Sequence, residues 1–190
     1  MAQLVLASGS AYRKALLERL GVPFVVFSPN VDEAPLAGEM PSQTALRLSL
    51  QKAQAAADRG ALIIGADQVA SCGARRYGKP RSHENAARQL RELSGKAVVF
   101  DTAVTLLDSR KGSHESRLVP CRVTFRDLDE RRIEAYLKKE RPYDCAGAAK
   151  AEGLGIALIS RIETDDPTSL IGLPLISLSQ MLERAGVKLL

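Results

Sequence analysis

The chain has 190 residues, of which 45% are hydrophobic and 26% charged, with 14 glycines and 9 prolines. These proportions are globular, and they exclude disordered and collagen-like proteins. The 27 Lys and Arg residues outnumber the 22 Asp and Glu residues, so the net charge is +5, which favours anionic partners. Aromatic residues make up only 4% and Trp is absent, so surfaces for base stacking are scarce. We therefore expect a small anionic substrate and no stable nucleic-acid binding.

The distribution of apolar residues and cysteines gives the expected compartment. The most apolar stretches, residues 61–70 and 170–182, are interrupted by polar residues and are too short to cross a bilayer. No signal peptide is recognisable at the N-terminus, so we expect a cytoplasmic protein with no membrane association. Three widely spaced cysteines without clustered histidines argue against a disulfide framework and against structural zinc.

The first part of the chain alternates between strand and helix patterns. Residues 4–7 predict a strand, which is followed by the tight loop Ser8-Gly9-Ser10 and a helix from Ala11. A longer helix is predicted from Pro41 to Gly60. The continuous apolar run 61–69 is typical of a strand that is buried on both faces in a parallel sheet.

The second part of the chain predicts a hairpin between helices. Residues 97–107 and 118–125 are rich in β-formers and are separated by a polar stretch, so they predict paired strands. The other predicted elements are a helix capped by Ser82, a helix from Asp129 to Lys139, a strand over 156–162 and a helix from Pro174. No linker or repeat divides the chain. The sequence therefore predicts an α/β fold with a mixed sheet in a single domain, residues 1–190.

The loop after the first predicted strand can bind phosphate. Ser8-Gly9-Ser10 brings hydroxyls and backbone N–H groups to the N-terminus of a helix, and Arg13 adds positive charge in its first turn. The loop has neither the P-loop pattern nor the dinucleotide-binding pattern. On spacing alone, Ser10 could equally serve only as a helix cap.

Acidic residues follow the predicted buried strand and lie on an earlier loop. Asp67 comes at the carboxyl end of the strand, where open α/β sheets place their ligands. The alternative is an Asp that caps the next turn. With Glu33 of the Asp32-Glu33 pair, Asp67 could hold Mg²⁺ or Mn²⁺, which bind carboxylates together with phosphate oxygens. Lys52 and Lys79 add separated cations, which suits metal-assisted attack on a polyphosphate.

Several sequence blocks together resemble the Maf family of nucleoside triphosphate pyrophosphatases. The blocks, which match in order and spacing over essentially the whole chain, are residues 6–14, 29–33, 52–53, 64–69 and 78–80. The resemblance implies a fold like that of the inosine triphosphate pyrophosphatases: an elongated mixed sheet flanked by helices, with a deep cleft between two lobes. It also implies a homodimer, a divalent cation, and hydrolysis of a nucleoside triphosphate to a monophosphate and pyrophosphate.

The resemblance implies roles for individual residues. Asp67 matches the catalytic acid position, proposed as the base that activates water, and Glu33 matches a residue thought to help hold the metal. The positions that match the phosphate-binding set are Ser8, Arg13, Lys52 and Lys79; Ser10 lies in the same loop.

The resemblance also indicates a branch of the family. Residues 144–158 and 170–175 are similar to the branch that hydrolyses 7-methyl-GTP. The branch that acts on dTTP and UTP typically has Arg at the position of Tyr12 and Gln at that of Glu152. With Gln68, these are the expected specificity residues. A carboxylate at 152 could accept both hydrogen-bond donors of guanine. The alternatives are a pyrimidine nucleotide pyrophosphatase and a basic regulatory module that binds nucleic acid or cell-division partners.

Overall fold

A computed structural model describes residues 3–57 and 60–190. Within these residues the chain forms seven strands and five α-helices. The strands are β1 (Leu4–Ala7), β2 (Val25–Phe27), β3 (Leu62–Cys72), β4 (Arg75–Tyr77), β5 (Ala97–Asp108), β6 (Ser113–Phe125) and β7 (Ile159–Glu163). The helices are α1 (Ala11–Glu18), α2 (Pro41–Gln54), α3 (His83–Leu93), α4 (Glu130–Glu140) and α5 (Leu175–Arg184). Short 3-10 helices cover Ala146–Ala148, Leu154–Leu158 and Pro167–Ser169.

The strands form one mixed sheet in the order β2-β1-β3-β5-β6-β7, with β4 paired to β3. β1 is parallel to both β2 and β3, and Ala7 at the end of β1 lies opposite Gly65. β4 is antiparallel to β3, and β7 is antiparallel to β6. The α/β class with a mixed sheet is therefore confirmed. The parallel part explains the continuous apolar run of β3, because helices cover such strands on both faces.

Contacts divide the chain into two compact units. The first unit contains the described residues up to Gln68, Asp101–Val119 and Asp166–Leu190; the second contains Val69–Phe100 and Pro120–Asp165. In the first unit, Leu62 and Ile64 of β3 belong to a buried cluster with residues of α1 and α5, whereas Ile63 belongs to a cluster with residues of α2. In the second unit, α3 packs against α4. The single domain and the cleft between lobes remain predictions.

A glycine allows α2 to lie directly on β3. A Cβ atom at Gly65 would overlap the backbone oxygen of Ser49 and come within 2.8 Å of the backbone nitrogen of Ala53. Any larger residue would push the helix away from the strand. This close approach sets the turn of α2 from Ser49 to Ala53, which includes Lys52, directly beside β3.

Several predicted boundaries are wrong. The strand predicted over 156–162 begins only at Ile159, because Leu154–Leu158 form a 3-10 helix, and a short apolar run does not distinguish the two. The helix predicted to close at Gly60 ends at Gln54, where the donation of the Ala56 N–H to the Ala53 oxygen tightens the last turn. Part of that interval lies outside the described residues. The second hairpin strand begins at Ser113 rather than at residue 118.

The three-residue strands β2 and β4 were not predicted, because so short a segment has no readable alternation. The strand predicted to end at residue 69 continues to Cys72, where it pairs with β4. In the part of the chain that the structure describes, no helix combines the length and the apolar character needed to span a membrane.

Candidate active site

The loop after β1 positions two hydroxyls at the start of α1. Ser10 is the N-cap of α1, and its side chain accepts from the backbone N–H of Arg13 at 3.4 Å. Ser10 is therefore a helix cap, and its contact with phosphate remains a prediction. Ser8 is buried, and its Oγ accepts from the Ser10 N–H at 3.2 Å. Ser8 thus ends β1 with a hydroxyl fixed at the carboxyl edge of the sheet.

Arg13 is held over this loop by two contacts. Its Nη1 donates to the Ser8 Oγ at 3.3 Å and its Nε donates to the backbone oxygen of Gly172 at 2.9 Å. Gly172 has a φ of +118°, a conformation that side-chain-bearing residues rarely adopt. Burial lowers the pKa of the Arg13 guanidinium, and the charges of Asp67 and Glu33 oppose that shift. The guanidinium therefore acts electrostatically on both acidic residues.

Lys52 connects the two predicted acidic residues. Its Nζ lies 2.6 Å from Asp67 Oδ1 and 2.6 Å from Glu33 Oε1. The side chains of Lys52 and Asp67 are 8% and 9% exposed, whereas that of Glu33 is 64% exposed. Lys52 is therefore a buried ion-pair partner rather than a solvated surface lysine. The Asp67–Lys52 pair forms the inner part of the site and Glu33 forms its outer part.

The environment of Asp67 favours its neutral form more than water does. Burial raises the pKa of its carboxyl above the ordinary value, while the positive charges of Lys52 and Arg13 act in the opposite direction. A carboxylate with a raised pKa is a stronger base than one in water. Asp67 is therefore a candidate general base, and this role remains a prediction.

Asp67 and Glu33 are the candidate metal ligands. Both bind the same Lys52 nitrogen, so the two carboxylates converge on one point. Mg²⁺ commonly takes one or two protein carboxylates and completes its shell with water and phosphate oxygens, so this pair fits the ion if the Lys52 ammonium moves aside. Among the described residues, no group of three or more His, Cys, Asp or Glu side chains could hold a metal ion.

Gln68 points to the opposite face of β3, because successive side chains of a strand alternate. Its Nε2 lies within hydrogen-bond distance of three oxygens: Thr102 Oγ1 at 3.0 Å, Ser169 O at 2.9 Å and Leu170 O at 3.1 Å. The amide nitrogen is therefore fully engaged by the protein.

The other predicted residues are placed as follows. Tyr12 is half-buried in α1 of the first unit. Lys79 follows β4 and Glu152 follows the 3-10 helix Ala146–Ala148, both in the second unit and both exposed. The structure thus brings Ser8, Arg13, Glu33, Lys52 and Asp67 together in the first unit. The catalytic, binding and metal-ligating roles of all the predicted site residues remain predictions.

Sequence reasoning missed the residues that support the site from residues 166–172 and from β5. Asp166 is buried and its carboxylate binds Thr168 and the first turn of α5. Thr102 is fully buried beside Gln68. An Asp-Pro-Thr sequence at 166–168 signals a turn. Nothing local in the sequence indicates that this turn contacts Arg13 and Gln68.

The fold and the site define the class of protein. A sequence model described as "Maf-like protein" matches residues 3–185. The chain therefore belongs to the Maf family, as its sequence blocks predict.

Several proteins similar to this chain share one name. The chain is 59% identical over 189 residues to a protein named 7-methyl-GTP pyrophosphatase from Thiobacillus denitrificans, covering 98% of this chain and 94% of the relative. Proteins of the same name from Cupriavidus pinatubonensis and Nitrosospira multiformis are 55% and 54% identical. These matches cover 97% and 98% of this chain, and 94% and 96% of the relatives. A homodimer, a cytoplasmic location and a metal cofactor remain predictions.

Proposed function

We propose that this protein is a nucleoside triphosphate pyrophosphatase that hydrolyses 7-methyl-GTP to 7-methyl-GMP and pyrophosphate. The observation that carries the proposal is the buried Asp67–Lys52 pair beside the Ser8–Arg13 cluster. This arrangement supports the proposal because it combines a buried carboxylate with two cations. The proteins that share more than half of the chain's residues carry the name of this activity.

The proposed reaction is attack of water on the α-phosphorus. Asp67 accepts a proton from the water, and its raised pKa matches that role. The bond between the α-phosphorus and its bridging oxygen breaks, and pyrophosphate leaves with the electron pair. Charge builds on the phosphate oxygens as this occurs, and Arg13 and Lys52 can stabilise that charge.

We propose that Asp67 and Glu33 hold a divalent cation when the nucleotide is bound. Such an ion neutralises phosphate charge and polarises the phosphoryl group. Lys52 would then exchange its contact with the carboxylates for one with a phosphate oxygen, since a lysine is a compact cation on a flexible stem. Ser8, Ser10 and Lys79 are the further proposed phosphate contacts.

The proposed preference for 7-methyl-GTP is based on the names of the relatives and on three side chains. Tyr12 offers an aromatic ring, which is attractive to the cationic 7-methylguanine ring. Glu152 and Gln68 are the proposed hydrogen-bonding residues. The roles of Lys79 and Glu152 rest on the family resemblance.

The test is pyrophosphate release from a panel of nucleoside triphosphates with Mg²⁺ or Mn²⁺. We expect kcat/KM to be highest for 7-methyl-GTP. A higher kcat/KM for dTTP or UTP would place the protein in the pyrimidine branch of the family. The absence of hydrolysis, together with tight and strongly salt-dependent duplex binding, would favour the regulatory alternative.

A further inference from the structure

The segment 166–172 contacts the site at two points. Its Gly172 oxygen accepts from Arg13 Nε at 2.9 Å. Its Ser169 and Leu170 oxygens accept from Gln68 Nε2 at 2.9 and 3.1 Å. One backbone segment therefore orients both a proposed phosphate-binding residue and a proposed base-selecting residue.

The carboxylate of Asp166 fixes this segment. Oδ1 accepts from the Thr168 backbone N–H at 3.0 Å and from its hydroxyl at 2.6 Å, and Oδ2 accepts from the Ile176 N–H at 2.7 Å. The Thr168 hydroxyl in turn accepts from the Leu175 N–H at 2.8 Å. Pro174, the N-cap residue of α5, makes no side-chain cap hydrogen bond. Asp166 and Thr168 thus satisfy two of the free N–H groups at the start of α5, and the segment is anchored to that helix.

Thr102 and two backbone carbonyls together determine which end of the Gln68 amide faces inward. The Thr102 hydroxyl donates to the Ser169 oxygen at 2.9 Å, so its own oxygen is left to accept from Gln68 Nε2. The other two neighbours of Nε2 are backbone carbonyls, which can only accept. An amide oxygen at this point would face three acceptors, so the nitrogen must occupy it. The Gln68 Oε1 therefore points away from these groups.

We propose that the segment 166–172, fixed by Asp166, is a positioning element of the active site, and that Thr102 orients Gln68 so that Oε1 serves as a hydrogen-bond acceptor for the base. The proposal rests on the proposed function. It specifies that the protein reads a donor group of the nucleobase through Gln68. It also makes Thr102 and Asp166 positioning residues that need not touch the substrate.

The first test is Thr102→Val, which keeps the shape of the side chain but removes its hydroxyl. We expect the ratio of kcat/KM for 7-methyl-GTP over UTP to fall about two- to tenfold, the effect of one neutral hydrogen bond. Thr102→Ser, which keeps the hydroxyl, should restore the ratio. The matched control is Thr105→Val in the same strand, because Thr105 is equally buried but bonds to Ser49 and Ser116. That control should leave the ratio unchanged even if it lowers stability.

The second test is Asp166→Asn, in which an NH₂ group replaces one of the accepting oxygens. We expect weaker inhibition by tripolyphosphate, which reports on Arg13. We also expect a lower base ratio, meaning the ratio of kcat/KM for 7-methyl-GTP over UTP, which reports on Gln68. Thr102→Val should change the base ratio alone. An unchanged ratio in Thr102→Val overturns the role of Thr102. Unchanged values of both quantities in folded Asp166→Asn overturn the role of the segment.

If Asp166→Asn does not fold, the Thr102 series decides the proposal. The failure of the proposed function is separately visible, because wild-type protein would then release no pyrophosphate from 7-methyl-GTP. In that case the dissociation constants of 7-methyl-GTP and UTP, measured by calorimetry in EDTA, replace kcat/KM. A ratio of these constants that is the same in wild type and Thr102→Val would still overturn the inference.

Discussion

Replacing Lys52 by Met removes the ammonium that binds both site carboxylates and keeps an apolar side chain of similar length. The buried Asp67 carboxylate then loses its partner at 2.6 Å, while Arg13 remains nearby. Burial already raises the pKa of Asp67, and Lys52 is the strongest influence that lowers it. We therefore expect the pKa of Asp67 to rise further in the variant.

The magnitude follows from the geometry of the pair. An opposite charge at this distance typically lowers the pKa of an Asp by about one to three units. Because the base must be deprotonated, kcat/KM falls as the pH drops through the pKa of Asp67. The acidic limb of the pH profile should thus move upward by about one to three units in Lys52→Met. Loss of a phosphate contact would lower the whole profile without moving this limb.

The stability of the folded protein should fall in Lys52→Met. Removing one partner of a buried ion pair costs about 3–5 kcal/mol in general, and uptake of a proton by Asp67 reduces this cost. Because the pKa of Asp67 in the folded variant is raised, the loss should be greatest near neutral pH and smaller once the pH falls below that pKa. Urea denaturation at two pH values measures this difference. The control is a substitution of Lys14, whose ion pair with Glu18 is exposed to solvent.

Lys14→Met removes a lysine 3.5 Å from Glu18 in a pair whose side chains are more than half exposed. Such surface pairs contribute about 0–1 kcal/mol, so the control should keep the wild-type pH profile and nearly all of its stability. An acidic limb at the wild-type position in active Lys52→Met would refute the electrostatic reasoning.

Three further predictions concern the chemistry and the base. Asp67→Asn should lower kcat by about 10²-fold or more while the protein stays folded by circular dichroism, and near-normal turnover would remove Asp67 from the base role. Excess EDTA should abolish pyrophosphate release and added Mg²⁺ should restore it, whereas full activity in EDTA would contradict the metal proposal. Glu152→Gln should lower kcat/KM more for 7-methyl-GTP than for UTP, since hydrogen bonds to charged groups contribute about 1.5–3 kcal/mol. The exposed Glu84→Gln is its control, and an unchanged ratio at 152 would mean that Glu152 does not read the base.

Two candidate residues follow apolar runs that pair in parallel. Ser8 follows β1, and Asp67 lies two residues beyond Gly65, the last β3 residue that is paired with β1. The prediction that Asp67 ends its strand is wrong, because β3 continues to Cys72 and pairs there with β4. The alternation of strand and helix patterns was enough to predict the class of fold.

The burial of Lys52 could not be predicted from periodicity. A lysine on a helix is usually solvated, so the sequence does not single out Lys52. In the structure it lies on the buried face of α2 with Ser49 and Ala53. Gly65 lets this face lie so close to β3 that Lys52 reaches Asp67. That approach depends on two segments separated in sequence, so neither segment reveals it alone.

The supporting residues were missed for a similar reason. Thr102 lies within an apolar strand, where a buried Thr is an ordinary occurrence, and Asp166 lies in a turn sequence. Thr102 contacts Gln68, more than thirty positions away, and Gln68 contacts Ser169, more than a hundred positions away. Asp166 acts locally, through Thr168 and Ile176, on the segment that contains Ser169. Only the folded chain shows that these contacts converge on the site.

Hydrolysis of 7-methyl-GTP in water enriched in ¹⁸O tests the central claim most directly. Attack on the α-phosphorus predicts 7-methyl-GMP that carries one ¹⁸O atom and pyrophosphate that carries none, as mass spectrometry of the products can show. Label in the pyrophosphate would place the attack on the β-phosphorus. Release of 7-methyl-GDP and orthophosphate, or no turnover of this nucleotide at all, would contradict the proposed activity.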